Sequence, residues 1–326
     1  MFEHTLSLDE IDRKDVQQCG GKGANLGELI HAGVAVPAGF CVSTEALLYT
    51  LDCNALNRPI AEIAGCLNFE DYGAVESDTA RIRSMIVSAL IPPDLEDDIR
   101  HQYRKLIRGK EKFVAVRSSV AVRDSPISSF PGMMDTYHFV PNEPEVLSKI
   151  RECWASLWTA RAAFTRHRKQ IPHERGLIAA VVQLMVHADT AGVLFTSNPI
   201  THAAGEMVIE ANWGLGESVV SGQSMNDFYV IDKERLSVKQ KTISPKTMMV
   251  TIDEAAGAGR KERPIPKDKQ SAPTLSDAQL LELAQAGQKI EDHFGFNADI
   301  EWAYQDKTLF ILQARQIWKP SLAAAS

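Results

Sequence analysis

The spacing of apolar residues predicts helices in the first part of the chain and strands further on. Residues 44–107 are typical of several helices with charged faces, and Pro92-Pro93 favours the start of one of them. Short apolar runs predict strands over residues 113–116, 137–140, 177–186, 193–196 and 207–211. The Ser-, Pro- and Gly-rich stretch 118–136 is expected to be a long loop, and such loops in compact domains are often functional.

Capping and turn residues place the remaining elements. They predict helices over residues 24–31, 144–168 and 276–293, an exposed loop or linker over 254–273, and a hairpin of strands 299–304 and 309–317. Ser276 is suited to cap the last helix, and Gly33 and Gly295 follow two helix ends, where a left-handed residue commonly closes a helix. The glycine cluster at 20–23 is expected just before the first of these helices.

Composition and charge restrict the class of protein. The chain has 326 residues, 44% of them hydrophobic, which is enough for a sizeable core and suggests two domains or one two-lobed unit. A formal charge of -7 argues against nucleic-acid or membrane partners, because phosphate backbones attract a basic face. The five cysteines form no C-x-x-C pair and indicate reduced thiols. The N-terminus does not resemble a signal peptide and no apolar run reaches the roughly 20 residues of a membrane helix, so a cytoplasmic location is expected.

The glycine cluster is the first candidate for chemistry. Glycines let backbone N–H groups approach an anion, the start of the following helix adds the positive end of its dipole, and Lys22 adds a charge. The spacing is not that of a Walker A loop. Taken alone, the cluster is better explained as a glycine-rich turn with a surface lysine.

The second candidate is Arg117, which follows the first strand. An arginine held by a buried strand is rigidly placed, and its planar fork suits polyphosphate oxygens. Further along, Gly132 lets backbone amides approach phosphate, and Thr136 adds a hydroxyl. A structural arginine paired with Asp124 or Asp135 fits these residues equally well.

The third candidate lies on the hairpin near the end of the chain. Alternation puts Asp299 and Glu301 on one face of their strand, and Gln313 and Arg315 on one face of the next. Oxygen ligands of this kind suit Mg²⁺, which bridges nucleotide phosphates. A salt-bridged surface hairpin is the alternative, but the apolar neighbours imply burial, and buried acids need a cation.

The fourth candidate is the strand around Gln183, Met185 and Val186. Its backbone is suited to hydrogen-bond an adenine edge while Met185 packs on the ring, although an ordinary core strand explains the residues better without further context. Glu217, in a Gly-Leu-Gly-Glu run, is suited to hold a metal or a contact between lobes.

Seven short motifs in order resemble one family, the nucleotide-binding domains of phosphoenolpyruvate synthases, pyruvate phosphate dikinases and rifampicin phosphotransferases. They are Gly-Gly-Lys-Gly-Ala-Asn-Leu-Gly-Glu (20–28), Val-Pro-Ala-Gly-Phe (36–40), Val-Arg-Ser-Ser (116–119), Gly-Val-Leu-Phe-Thr (192–196), Gly-Leu-Gly-Glu (214–217), Asp-Ile-Glu-Trp (299–302) and Leu-Gln-Ala-Arg (312–315). Each motif is weak alone, but the resemblance covers nearly the whole chain.

The resemblance implies an α+β fold of the ATP-grasp type, with ATP bound between two lobes, here expected over residues 1–183 and 184–326. It implies that Lys22, Arg117 and Arg315 contact the phosphates and act in catalysis. It further implies a phosphate-covering loop with Gly132 and Thr136, a hinge near the adenine at Gln183, Met185 and Val186, and Mg²⁺-ATP binding by Glu301 and Gln313 with Asp299 as a further metal residue.

The family reaction transfers the β-phosphate of ATP to a histidine on a swivelling domain, with release of AMP and phosphate. None of the nine histidines lies in a motif of that domain, so the histidine is expected on a separate subunit that also binds the acceptor. This arrangement resembles the ATP-binding subunit of phenylphosphate synthase, whose acceptor is phenol. The alternatives are a domain of a phosphoenolpyruvate synthase or a rifampicin phosphotransferase-like enzyme, or a non-catalytic ATP sensor. Arg123 stands where the family usually has an acid, which removes one expected acidic contact.

Overall fold

A computed structural model describes residues 4–108, 113–125, 135–220, 222 and 225–317. Gly132 of the expected phosphate loop lies outside these residues. The chain forms two compact units, the first comprising Met1–Glu28, Ala38–Met185 and Asp253–Gly259, and the second Leu29–Pro37, Val186–Ile252 and Arg260–Ser326. The expected division into lobes at residues 183 and 184 remains a prediction.

A five-stranded antiparallel sheet forms the centre of the first unit. Its strands are β1 (Thr5–Ser7), β2 (Gly39–Val42), β3 (Val114–Val122), β4 (Thr136–Val140) and β5 (Gly176–Leu184). Their spatial order is β1-β2-β5-β3-β4. The two longest strands, β3 and β5, therefore lie side by side in the middle of the sheet, where they hold the candidate residues of this unit.

Helices supply most of the first part of the chain, as expected for residues 44–107. They are α1 (Val16–His31), α2 (Thr44–Cys53), α3 (Asn57–Gly65), α4 (Tyr72–Ser88), α5 (Pro93–Leu106), α6 (Glu143–Ser156) and α7 (Ala160–Arg168). Pro93 occupies the first turn of α5, where its missing N–H costs no helical hydrogen bond. Within the described ranges, no helix combines the length and the apolar character that crossing a bilayer requires.

One face of this sheet packs against a large apolar core. Val116, Val120 and Val182 face the core, which also contains Trp154 of α6 and Leu95 of α5. Each such side chain contributes roughly 1.5–3 kcal/mol when fully buried. Because neighbouring residues on a strand point to opposite sides, the odd-numbered residues of β3 lie on the other face.

Two elements of the first unit differ from the sequence prediction. The strand expected over 113–116 continues to Val122 with all nine residues of β3 buried, so residues 118–122 are not in a loop. Serine is accepted there because its hydroxyl is bonded, as in Ser118, whose Oγ donates to the carbonyl of Asp135 at 2.9 Å. The single helix expected over 144–168 is divided into α6 and α7, because the Thr159 side chain caps a new helix by accepting from the Ala162 amide at 3.2 Å.

The second unit contains a six-stranded antiparallel sheet and a separate two-stranded ribbon. The sheet strands are β6 (Thr190–Phe195), β7 (Glu206–Trp213), β8 (Asp227–Asp232), β9 (Ser237–Thr242), β12 (Ala298–Gln305) and β13 (Thr308–Gln316), and the ribbon consists of β10 (Met248–Ile252) and β11 (Arg260–Pro264). The sheet order is β13-β12-β6-β7-β8-β9. The helices of the later chain are α8 (Glu217–Val220), α9 (Lys267–Gln270) and α10 (Asp277–Phe294).

The end of the second unit follows the sequence prediction closely. Ser276 and Gln279 form a capping box at the start of α10, and Gly295 closes the helix at a φ of 73°. The expected hairpin is formed by β12 and β13. The stretch 254–273 was expected to be a loop or linker, but it includes β11 and α9, because the charged run Arg260–Pro264 pairs with Met248–Ile252.

A buried ion pair joins three segments of the second unit. Lys246 Nζ lies 2.6 Å from Asp227 Oδ1, and both side chains are fully buried. The other carboxylate oxygen accepts from the amide of Thr274 at 2.8 Å and from its hydroxyl at 2.9 Å, and Oδ1 also accepts from the Ser244 amide at 3.0 Å. The pair therefore connects β8, the chain before β10 and the chain before α10.

Candidate functional site

Arg117 lies on the face of the first sheet opposite the apolar core. It is paired with Thr136 on β4, and its Nη1 donates to Oε1 of Gln183 on β5 at 3.3 Å. The side chain is 8% exposed. The structure thus brings together three of the predicted site residues, on three adjacent strands of one sheet.

The segment with Lys22 lies inside a kinked helix, whereas the sequence predicted a glycine cluster before a helix. Helix α1 begins at Val16, ahead of the cluster, and Gly20 interrupts it at a φ of 67° and a ψ of 174°. A Cβ on Gly20 would lie 2.4 Å from the backbone oxygen of Ser119, so both the conformation and the space require glycine. The helix resumes after the kink, and Lys22 is half-buried in its first turn.

The kinked segment packs on the same sheet face as Arg117. Ser119 Oγ donates to the Cys19 carbonyl at 2.6 Å and accepts from the Gly23 amide at 3.0 Å. Ser119 and Arg117 are two residues apart on β3 and therefore share a face. The backbone of Lys22 is consequently held on the face that carries Arg117, Thr136 and Gln183. Sequence reasoning did not assign Ser119 a role, although its alternation with Arg117 on a long strand was the available signal.

Met185 and Val186 follow the end of β5. The Met185 amide donates to the carbonyl of Phe113 at 3.0 Å, and its side chain is 8% exposed. Val186 is 6% exposed and packs with Ala191 and Ala303. Both residues are fixed in apolar surroundings just after Gln183, and their contact with an adenine ring remains a prediction.

The hairpin of the second unit has the predicted arrangement of polar residues. Asp299 is paired with Arg315 and Glu301 with Gln313, so all four lie on one face of β12 and β13. The pairing shifts by one residue after Glu301, at Leu312. The other face carries buried apolar residues such as Ile300. The polar set therefore occupies one side of an otherwise apolar sheet edge, as the alternation predicted.

Asp299 and Arg315 form a close ion pair. Nε and Nη2 of Arg315 lie 2.8 Å and 2.7 Å from Oδ2 of Asp299. The Asp299 side chain is 12% exposed. Burial raises the pKa of the Asp299 carboxyl, and Arg315 opposes that rise because it favours the charged form. The ion pair fixes the plane of the guanidinium beside Glu301 and Gln313.

Glu210 belongs to the same sheet face and was not singled out from the sequence. Val193 on β6 is paired with Glu301 on β12 at one side and with Glu210 on β7 at the other. The two acids therefore lie on either side of one valine. Glu210 Oε2 accepts from Asn226 Nδ2 at 3.4 Å. The strand predicted over 207–211 is longer in the structure, because β7 continues to Trp213. Glu217, expected to hold a metal or a lobe contact, forms an ion pair with Arg260.

The oxygen ligands on the hairpin fit an Mg²⁺ ion that is shared with substrate phosphates better than a metal ion held by protein ligands alone. Across the described ranges, no group of three or more His, Cys, Asp and Glu is placed to hold a metal ion. Mg²⁺ is usually bound by one or two carboxylates together with substrate phosphates and water. Glu301 and Gln313, side by side on paired strands, offer hard oxygen ligands of that kind.

Comparison with known proteins identifies the family of the chain. The family described as pyruvate phosphate dikinase, AMP/ATP-binding domain, matches residues 16–324. A probable phosphoenolpyruvate synthase of Pyrococcus horikoshii is 38% identical over 95% of this chain and 43% of its own length. The corresponding protein of Methanocaldococcus jannaschii is 41% identical over 95% of this chain and 26% of its own length. A rifampicin phosphotransferase of Bacillus cereus is 35% identical over 97% of this chain and 36% of its own length.

The chain therefore spans less than half the length of these curated relatives. The expected α+β fold of the ATP-grasp type is confirmed by the mixed sheets and helices and by the family match. With nearly all of its residues matched, this chain belongs to the pyruvate phosphate dikinase AMP/ATP-binding domain family.

Proposed function

We propose that this chain is the ATP-binding part of a dikinase-type phosphotransferase. The observation that carries the proposal is the register of β12 and β13, which places Asp299 opposite Arg315 and Glu301 opposite Gln313 in a member of an ATP-binding family. Two acids, an amide and an arginine on one sheet face form a set suited to a metal-bound polyphosphate. An ATP sensor would need affinity alone, not this full set.

The residues of the first unit would bind the phosphates of ATP. Lys22 and Arg117 supply positive charge, and Thr136 and Gln183 lie beside Arg117. Arginine suits this task because its fork bonds two phosphate oxygens at once. Phosphoryl transfer depends mainly on positioning and on neutralising the charge of the transferred group, so fixed cations on a rigid sheet fit the reaction.

In the second unit, Glu301 and Gln313 would hold Mg²⁺, with Asp299 beside them. When bound, the ion would neutralise part of the charge on the phosphates of ATP. Arg315, oriented by Asp299, would bind a further phosphate oxygen. Met185 and Val186 would pack near the adenine.

The proposed reaction transfers the β-phosphate of ATP to a histidine nitrogen, with AMP as the leaving group, and water cleaves the bond between the β- and γ-phosphates to release inorganic phosphate. That histidine, and the binding of the final acceptor, would belong to a separate domain or subunit. The names of the relatives indicate two acceptor types, since one class makes phosphoenolpyruvate and the other phosphorylates rifampicin. Phenol, as in phenylphosphate synthase, is the third acceptor that we propose to test.

The test uses ATP labelled in either its β- or its γ-phosphate. We expect β-label on the histidine of a partner domain, taken from a family member, and γ-label in free phosphate, with AMP as the nucleotide product. ADP as the sole product would contradict a dikinase reaction. Tight ATP binding without turnover would favour the sensor. Adding pyruvate, rifampicin or phenol to the charged partner then identifies the acceptor class.

A second prediction concerns the Asp299–Arg315 pair. Asp299→Asn keeps the shape of the side chain but removes the charge that orients Arg315, so we expect ATP affinity to fall by about tenfold, the scale of one charge-assisted hydrogen bond. Calorimetry of Asp299→Asn, Arg315→Lys and the double variant measures the ATP affinity of each. The double variant should lose less binding free energy than the two single variants lose together, because both changes break the same ion pair. If the two losses of ATP affinity are additive, or if only the Mg²⁺ concentration needed for ATP binding changes, Asp299 is instead a direct metal ligand.

A further inference from the structure

We propose that Ser119 is a positioning residue for Lys22. Its hydroxyl bridges two backbone groups of α1 and thereby fixes the Lys22 segment against the strand that carries Arg117. The inference rests on the proposed function, since it assigns Ser119 a task in phosphate binding. It concerns the first unit alone.

The observation is a hydroxyl that bridges two backbone groups of one turn of α1. In a regular α-helix the amide of Gly23 would donate to the carbonyl of Cys19, four residues earlier. Here Ser119 Oγ lies between these two groups, donating to the Cys19 carbonyl at 2.6 Å and accepting from the Gly23 amide at 3.0 Å. A side chain inserted into the helical ladder is a known cause of a sharp kink.

The shape of the segment depends on this insertion. Gly20 takes a positive φ of 67° within the bridged turn, and a Cβ there would lie 2.4 Å from both the Ser119 backbone oxygen and its Oγ. Lys22 lies between the two bridged groups, at residues 19 and 23. The direction in which its side chain leaves the backbone is therefore set by the kink.

The same serine relates the segment to Arg117. Ser119 and Arg117 lie on one face of β3, about 7 Å apart along an extended strand. Ser119 is 1% exposed and Arg117 is 8% exposed, so neither side chain is free to move widely. Strand β3 thus fixes the spacing of the two proposed phosphate-binding cations. It carries Arg117 itself, and it holds the Lys22 segment through the hydroxyl of Ser119.

Removing the hydroxyl has two possible structural results. Either the Cys19 carbonyl and the Gly23 amide stay apart as buried groups without their partner, which is costly, or the turn at Gly20 straightens and the direct bond forms. In the first case the Lys22 segment loses the bond that ties it to β3, and in the second the direction of Lys22 changes. The residues proposed to lie near the adenine, Met185 and Val186, are outside this turn, so the loss should be specific to ligands that carry phosphates.

The experiment compares Mg²⁺-ATP and adenosine binding by calorimetry for the full chain and for Ser119→Ala. We expect ATP affinity to fall about tenfold, the scale of one misplaced charged contact, while adenosine affinity stays within about twofold. Thr50→Val is the matched control, because it also removes a buried hydroxyl of the same unit, one that donates to the Ala46 carbonyl of α2 at 2.8 Å. It should leave both affinities unchanged.

Several outcomes would overturn the inference. Unchanged ATP affinity in Ser119→Ala would remove the positioning role, and equal losses for ATP and adenosine would show a general structural role. If Ser119→Ala does not fold, Ser119→Cys replaces it; its thiol is too weak a donor and acceptor to hold the bridge, so ATP affinity should still fall, and wild-type ATP affinity in that variant is equally contrary. If neither folds, the serine is structural. Absence of Mg²⁺-dependent ATP binding in the unaltered chain would instead defeat the proposed function itself.

Discussion

Arg117→Ala is expected to slow AMP formation from ATP by about 10² to 10³ while the chain stays folded. The guanidinium lies on the face of the sheet opposite the apolar core, so its removal takes away charge without opening the core. Its effect should fall on the transition state, where charge on the transferred phosphate must be neutralised. Initial rates of AMP release, with a histidine-bearing domain from a family member present, measure the loss.

Arg123→Ala is the matched control for this prediction. Arg123 follows the same strand, but its side chain is exposed, and its backbone carbonyl accepts a hydrogen bond from the Arg175 side chain at 2.6 Å. Equal losses in the two variants would indicate a nonspecific effect of surface charge. Full activity in Arg117→Ala would remove Arg117 from the site, and a lower unfolding temperature in that variant alone would make it structural.

The hairpin of the second unit could be predicted because local residues determine it. Alternation of Asp299, Ile300 and Glu301 defines the two faces, and Asp306 and Lys307 adopt the positive φ values of a tight turn. The register follows from the turn and the apolar face. Every required interaction lies within a short stretch of sequence, and the polar set could be placed before the structure was known.

The kinked helix of the first unit could not be predicted in the same way. The break at Gly20 depends on Ser119, which is distant in sequence, and no local pattern indicates that pairing. The continuation of β3 through residues 118–122 was missed for a related reason. Two serines in a row suggest a loop. A strand can be predicted there only when the carbonyl groups that accept their hydrogen bonds are known.

The strands over 227–252 were also missing from the sequence prediction. Ser237–Thr242 is exposed along most of its length and carries two lysines among polar residues, so it lacks the apolar periodicity that marks a strand. It is an edge strand, held by backbone pairing with β8. Only the backbone hydrogen bonds to the neighbouring strand define such a strand, and its composition gives no sign of a strand.

Asp227→Ala is expected to destabilise the chain by about 3–5 kcal/mol, because it leaves a buried ammonium group without its partner. Lys246 is fully buried, and Asp227 also accepts hydrogen bonds from Ser244 and Thr274. Urea unfolding measures the change. The control is Lys239→Ala, which removes a half-exposed ion pair with Glu206 and should have little effect.

The double variant Asp227→Leu with Lys246→Met separates two explanations of that loss. If the cost comes from an uncompensated charge, replacing both partners with apolar residues should recover most of the stability, since buried ion pairs contribute little over well-packed apolar groups. If the carboxylate matters mainly as acceptor for the amides of Ser244 and Thr274, the double variant should stay as unstable as Asp227→Ala, because those buried donors remain unsatisfied. A single variant as stable as Lys239→Ala would contradict both, and would mean that the three joined segments are held by apolar packing alone.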